Sequence, residues 1–142
     1  MYAKNTWEKY ANCVNDVMEY NEGYKDYISK NKTERACVKD SIRLAEAKGF
    51  KPLSSFDHLK TGDKVYVINR GKNIALFIIG EKPLTAGMRI LGAHIDSPRM
   101  DLKQNPLYAS EGFVLADTHY YGGIKNYHWV TIPFSYFGGV CK

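Results

Sequence analysis

The apolar residues near the start of the chain recur at helical spacing and predict a first helix over about residues 6–30. Thr6 is the expected N-cap, and Gly23 is the residue at which we expect the helix to be interrupted, if it is interrupted at all. We expect the apolar face of this helix to lie in the core or in an interface; it carries Trp7, Tyr10, Ala11, Val14, Val17 and Met18.

A second helix and a β-hairpin follow. Helical spacing predicts a helix over residues 33–48, capped by Thr33 and ended by Gly49. Farther on, alternating and apolar runs at 64–69 and 74–79 flank a turn, which is typical of a hairpin. The second run is almost continuously apolar, so we expect that strand to be buried on both faces.

The pattern of the remaining chain predicts further strands. The run 88–95 predicts a third strand, and the dipeptide Asn105-Pro106 predicts a turn. Short aromatic-rich pieces at 112–121 and 127–140 have a β-like pattern.

These elements predict an α/β fold with two domains. The composition changes near Leu102, so we place a boundary there, with one domain over residues 1–101 and a second over 102–142. The first combines helices and strands, and the second is β-rich. No internal repeat accompanies this change.

The composition is that of a folded globular chain, with 44% apolar and 25% charged residues and eleven tyrosines. The net charge of +5 raises the alternative of a small basic module that binds nucleic acid. Its lysines and arginines are scattered, however, and the densest group also contains Asp26 and Glu34. We therefore expect a mixed, solvated surface and no nucleic-acid partner.

The cysteines and the N-terminus predict a cytoplasmic location. The chain has three cysteines, an odd number, and they are widely spaced: Cys13, Cys37 and Cys141. This pattern does not match a disulfide framework and favours a reducing compartment. The first residues contain no apolar signal core, and no run approaches the length of a membrane span. We therefore expect no membrane partner.

The candidate chemistry lies where the predicted third strand ends, in Gly92-Ala93-His94-Ile95-Asp96-Ser97-Pro98. Reactive groups of α/β enzymes often lie at strand ends, and a histidine near a carboxylate suits a metal ligand whose ring the carboxylate orients. The structural alternative is a hydrogen-bonded histidine beside a turn that Asp96 caps. A nucleophilic Ser97 is a weaker alternative, because no nucleophile-elbow pattern surrounds it.

The motif belongs to a longer block, and a second block follows. The first block is GAHIDSPRMDLKQNPLY at residues 92–108, and the second is HYYGGIKNYHW at 119–129. Together with the segment from Glu34 to Pro52 and its following strands, they resemble the aspartyl aminopeptidase / aminopeptidase I family of dizinc metallopeptidases, and its bacterial branch in particular. The resemblance covers nearly the whole chain.

This resemblance implies a fold and residue roles. The family's catalytic domain is an α/β/α sandwich, interrupted by an inserted β-rich domain that supports oligomerisation and covers the site. The histidine matching His94 is a zinc ligand, and the aspartate matching Asp96 lies behind it and orients the imidazole, so Asp96 is our predicted catalytic residue. Tyr121, Gly122 and Gly123 match the insertion, and we expect structural roles for them.

Other parts of the family's site have no match in this sequence. Members use two zinc ions to polarise the scissile carbonyl and activate a water, and a glutamate of a Glu-Glu pair is the general base. Glu81 and Glu111 do not match these motifs, and His119 and His128 have no ligand role to carry over. We therefore expect a truncated chain with an incomplete zinc site that is inactive alone.

Two hypotheses of different classes follow. In the first, the chain is the N-terminal portion of a zinc aminopeptidase that acts on peptide substrates and forms a homo-oligomer at full length. In the second, it is a non-catalytic fragment that associates with oligomers of the family, because incomplete elements bury their apolar surface only against a partner.

Overall fold

The computed structural model describes residues 5–138 and divides into two compact units between Ala93 and His94. The first unit contains three helices and a three-stranded sheet, and the second contains a β-hairpin and one helical turn. This mixture of helices and strands confirms the predicted α/β class. No helix within residues 5–138 is long and apolar enough to cross a membrane.

The first predicted helix is divided in two by a short 3-10 turn. Helix α1 spans Thr6–Lys9, the turn spans Ala11–Cys13, and helix α2 spans Val14–Lys30. The division therefore lies well before Gly23, where α2 continues without a break. Gly23 does not interrupt the helix because a single glycine lowers helix stability by only about 1 kcal/mol.

Asn5, rather than Thr6, caps helix α1. Its side-chain oxygen accepts the backbone N–H of Trp7 at 3.1 Å. Asn5 has the non-helical backbone that a cap requires, whereas Thr6 is already the first helical residue. The apolar face does not form a core in this unit, because its larger side chains are about half exposed: Trp7, Tyr10, Val17 and Met18.

Helix α3 agrees closely with its prediction and spans Glu34–Ala47. The side chain of Thr33 accepts the N–H of Ala36 at 3.2 Å, which confirms the predicted N-cap. At the other end, Gly49 has φ 85°, the left-handed conformation that commonly ends a helix.

Side-chain hydrogen bonds join α2 to α3. The hydroxyl of Tyr27 donates to the carbonyl of Cys37 at 3.2 Å and lies 3.0 Å from the hydroxyl of Ser41. Close by, the side-chain amide of Asn31 donates to Asp40 at 3.0 Å. Burial of the Tyr27 ring raises the pKa of its hydroxyl, so the hydroxyl stays protonated and available as a donor.

The sheet of the first unit has the order β1-β2-β3, over Lys51–Pro52, Lys64–Asn69 and Asn73–Ile78. Strands β1 and β2 are parallel, and β2 and β3 form the predicted antiparallel hairpin. The expectation that β3 is buried on both faces is wrong. It pairs only with β2 among the described strands, and most of its apolar side chains are exposed, including Leu76, Phe77 and Ile78.

The core of the first unit lies between α3 and β2. The hydroxyl of Tyr66 donates to the Glu46 carboxylate at 2.8 Å and ties the strand to the helix. Val65 is the most deeply buried side chain, at 1% exposure. The buried apolar residues of the described chain come from these two elements: Cys37, Val38, Ala45, Val65 and Tyr66.

The predicted third strand does not form. Residues 88–95 have no regular secondary structure, Ile90 is 78% exposed and Leu91 is fully exposed. An apolar run becomes a strand only when a neighbour completes its hydrogen-bond ladder, and no described strand pairs with this run.

The second unit is built on one long hairpin, with β4 over Arg99–Ser110 and β5 over Phe113–Tyr121. A two-residue turn joins them, and its residues Glu111 and Gly112 both have positive φ, at 51° and 80°. Turns of this kind match the twist of the strands that they connect. The strand predicted at 112–121 is thereby confirmed.

The turn predicted at Asn105-Pro106 is wrong, because β4 continues through it. The dipeptide lies between Leu102 and Leu107, where the pairing register shifts. Proline cannot donate to the ladder, so it accompanies an irregularity in the strand rather than a reversal of the chain. The β-like piece predicted from residue 127 begins instead inside a helical turn, α4, over Asn126–Trp129, and its last two residues lie outside the described range.

We expect Val65→Ala to lower the free energy of unfolding by about 2 kcal/mol, because buried methyl groups are lost and a cavity remains. Urea unfolding of the chain measures this change. Val67→Ala is the matched control on the same strand, since Val67 is 39% exposed and its loss costs about 0.5 kcal/mol or less. Equal losses for the two variants would contradict this description of the core.

Candidate metal site

His94 and Asp96 lie in the loop that enters β4, and their side chains meet. Nδ1 of His94 is 3.0 Å from Oδ1 of Asp96 and 3.0 Å from the backbone carbonyl oxygen of the same residue. The short spacing lets the carboxylate reach back to the ring without help from another element. The pair is therefore brought together as the sequence predicted, whereas its roles at a metal stay predictions.

The two partners of Nδ1 determine which nitrogen of His94 carries the proton. A carbonyl oxygen and an ionised carboxylate can only accept hydrogen bonds, so Nδ1 must be the donor. In a neutral imidazole the other nitrogen, Nε2, then carries the lone pair. Zn²⁺ binds such a lone pair, and a carboxylate or carbonyl on the second nitrogen is the usual companion of a metal-binding histidine.

Tyr121 adds a contact that the sequence did not reveal. Its hydroxyl donates to Oδ2 of Asp96 at 2.8 Å, while Oδ1 of that carboxylate faces His94. The antiparallel register pairs Tyr121, the last residue of β5, with Arg99, the first of β4. This pairing brings Tyr121 next to the loop, and no local pattern in the sequence indicates it.

These hydrogen bonds also keep the carboxylate ionised. The hydroxyl of Tyr121, followed by a backbone N–H and by His94, holds the pKa of the Asp96 carboxyl below its usual value. Asp96 is thus an acceptor at neutral pH, which supports Nδ1 of His94 as the protonated nitrogen.

Neighbouring residues hold Tyr121 in place. The guanidinium of Arg99 lies over the tyrosine ring, 4.0 Å from its centroid, and Nε of Arg99 donates to Asp101 at 2.8 Å. Gly122 has φ 77° and lies close to Pro98: a Cβ at this glycine would be 3.4 Å from the proline Cα. A side chain at this distance would make ordinary contacts, so the positive φ, rather than lack of space, favours glycine here.

His94 is suited to be one ligand of a metal, but the described residues place no full ligand set around it. Its side chain is 83% exposed, which leaves Nε2 accessible. Within residues 5–138, no group of three or more His, Cys, Asp or Glu side chains is placed to hold a metal ion. His119 and His128, for which the sequence gave no ligand role, are exposed.

Ser97 is not arranged as a nucleophile. It is exposed, and in the described part of the chain no hydrogen bond joins it to a histidine. Nucleophilic serines need a base within hydrogen-bond reach.

Fold and side-chain geometry together define an α/β chain that carries a histidine–carboxylate pair of the type found at metal sites. The family model of the Aminopeptidase I zinc metalloprotease (M18) matches residues 27–141. The chain therefore belongs to the M18 family, whose members are zinc-dependent aminopeptidases, and the resemblance noted in the sequence is confirmed.

Individual relatives agree. The chain is 48% identical to a probable M18 family aminopeptidase 1 of Clostridium acetobutylicum, covering 98% of this chain and 31% of the relative. A solved M18 aminopeptidase of Thermotoga maritima is 42% identical, with a TM-score of 0.81 over 94% of this chain and 29% of its own. The aminopeptidase I of Borrelia burgdorferi is 37% identical with a TM-score of 0.79, covering 92% of this chain and 31% of its own. The chain thus spans about 30% of the length of these relatives.

We expect Gly122→Ala to loosen the hairpin end that carries Tyr121, because alanine at this positive φ costs about 1–2 kcal/mol. Hydrogen exchange should show roughly 5- to 30-fold less protection of the β4 and β5 amides near the loop. Gly123→Ala is the control, since a Cβ there meets no described atom within 4 Å. Unchanged protection in Gly122→Ala would contradict the left-handed backbone conformation of Gly122.

Proposed function

We propose that this chain is the N-terminal part of a zinc aminopeptidase that removes N-terminal residues from peptides. His94 would bind zinc through Nε2, and Asp96 would orient its ring. The observation that carries this proposal is the pair of oxygen acceptors on Nδ1, which leaves the lone pair on Nε2. Membership of the M18 family supports zinc as the metal.

The chain's own contribution to catalysis would be to hold and orient one ligand. A bound zinc supplies Lewis-acid polarisation of the scissile carbonyl and a more acidic water. A catalytic zinc takes about three protein ligands plus an open position, and the described residues offer no such group. We therefore propose that the remaining ligands of a two-zinc site lie outside this chain, and that the chain alone is inactive.

We propose that the chain contributes to two domains of the whole enzyme. Residues 1–101 would belong to the catalytic domain, and residues 102–142 would begin an inserted β-rich domain that supports a homo-oligomer. Most of the long hairpin of β4 and β5 lies within the second range, and β4 begins at Arg99, three residues before it. A reducing cytoplasm is supported by the free thiols of Cys13 and Cys37.

The test uses a graft in which this chain replaces the matched N-terminal third of the Clostridium acetobutylicum relative. We expect the graft to bind zinc and to release amino acids from aminoacyl-nitroanilides. His94→Ala should remove one zinc per protomer and lower kcat/KM more than about 100-fold, beyond the 10- to 100-fold typical of residues that only orient ligands. Metal analysis and steady-state kinetics measure both effects.

His128→Ala is the matched control, because His128 is an exposed histidine of the same unit. It should change kcat/KM less than about twofold, as expected for a surface substitution. An active graft that keeps its zinc and its rate without His94 would refute the proposed ligand. Release of amino acids by the ungrafted chain, abolished by chelator, would refute the proposed inactivity.

The alternative function is that of a non-catalytic chain that associates with M18 oligomers. The hairpin exposes several large apolar side chains, and this favours the alternative because a partner commonly covers such surface: Leu107, Phe113 and Val114 are each at least 68% exposed. Size-exclusion chromatography with light scattering tests this alternative. It predicts an oligomer or a mixed complex with an added M18 relative, whereas a monomer with a cooperative melt counts against it.

A further inference from the structure

A continuous series of hydrogen bonds connects Tyr121 to His94 through Asp96. The tyrosine hydroxyl donates to Oδ2 at 2.8 Å, and Oδ1 lies 3.0 Å from Nδ1 of the histidine. The two carboxylate oxygens therefore serve different partners. Charge-assisted hydrogen bonds of this kind are stronger than neutral ones, and each member of a series polarises the next.

The bond from Tyr121 addresses a specific weakness of the His94–Asp96 pair. The side chain of Asp96 is 36% exposed and that of His94 is 83% exposed, so packing alone does not fix either of them. The terminal torsion of an aspartate is broad, and one hydrogen bond to the ring leaves the carboxylate able to turn. A second bond on the opposite oxygen restricts that rotation.

Tyr121 is itself well placed to impose this restriction. It pairs with Arg99 across the hairpin, and the guanidinium of Arg99 covers its ring at 4.0 Å. The backbone of the next residue, Gly122, lies against Pro98. Tyr121 is therefore held by a strand pairing, a stacked cation and a backbone contact of the next residue, whereas Asp96 lies in a loop without regular secondary structure.

We propose that Tyr121 is a positioning residue that acts through Asp96 to set the ring orientation and the Nδ1–H tautomer of His94. It thereby presents Nε2 towards a metal before the metal binds. This inference rests on the metal-binding role proposed for His94, but the orientation and the tautomer can be measured without any metal.

The experiment compares the unmodified chain with Tyr121→Phe, which removes the hydroxyl and keeps the ring on Arg99. Long-range ¹H–¹⁵N spectra of the histidine rings, recorded without metal at a pH where imidazole is neutral, report which nitrogen carries the proton. We expect the ratio of the Nδ1–H to the Nε2–H tautomer of His94 to fall roughly three- to tenfold in Tyr121→Phe. An unchanged ratio would overturn the proposal.

Tyr120→Phe is the matched control, because neighbouring residues of a strand point to opposite faces and Tyr120 is 63% exposed. It should leave the tautomer ratio of His94 unchanged. The tautomer ratios of His58 and His128 should be the same in every variant. A fall of equal size in Tyr120→Phe would mean that a general loosening of the strand, and not the hydroxyl, controls His94.

A double-variant cycle tests whether the effect passes through the carboxylate. In an Asp96→Asn background, Tyr121→Phe should have little further effect, because the connecting acceptor is already altered. The same fall in both backgrounds would overturn the route through Asp96.

The unmodified chain supplies a measurement that does not depend on folding of any variant. A nuclear Overhauser contact between the Tyr121 ring and the Asp96 side chain is expected, and its absence would overturn the proposal. Since none of these measurements contains zinc, the proposal can hold if His94 binds no metal. Conversely, the grafted enzyme can show zinc binding at His94 while the tyrosine has no effect.

Discussion

The candidate site depends on the backbone pairing that places Arg99 opposite Tyr121 at the open end of the long hairpin. A histidine and an aspartate two residues apart reach each other in any loop that bends suitably, but this alone does not hold them. The pairing brings a hydroxyl from a distant part of the sequence onto the second oxygen of Asp96. The site thereby gains a support that comes from regular structure rather than from the loop.

The functional meaning of this arrangement lies in the position of one proton. Two acceptors on Nδ1 of His94 place the proton there and leave the lone pair on Nε2, the nitrogen that faces away from Asp96. A ligand that already has the correct tautomer and orientation loses less freedom when a metal binds. The imidazole ring of His94 is exposed, so a metal and its other ligands can approach Nε2.

Local patterns predicted local features well. The cap at Thr33, the end of α3 at Gly49 and the pairing of β2 with β3 depend on neighbouring residues, and they form as predicted. The cap of α1 lies one residue earlier than predicted, at Asn5, and the larger failures involve partners outside the local pattern. The run around Leu91 has the composition of a strand but finds no ladder partner among the described strands. Asn105-Pro106 distorts β4 because the register across the hairpin continues beyond it. The role of Tyr121 depends on the same register, so sequence spacing does not reveal it.

We propose that His94 carries a zinc ion on Nε2 while Asp96 holds Nδ1. Anomalous scattering at the zinc edge, from crystals of this chain grafted onto the remainder of the Clostridium acetobutylicum relative, tests it most directly. We expect a zinc peak at about 2.0–2.1 Å from Nε2 of His94. We also expect Asp96 to remain bonded to Nδ1 and not to coordinate the metal. A zinc site that excludes His94, or one that uses Nδ1 of its ring, would contradict the proposed role of this histidine.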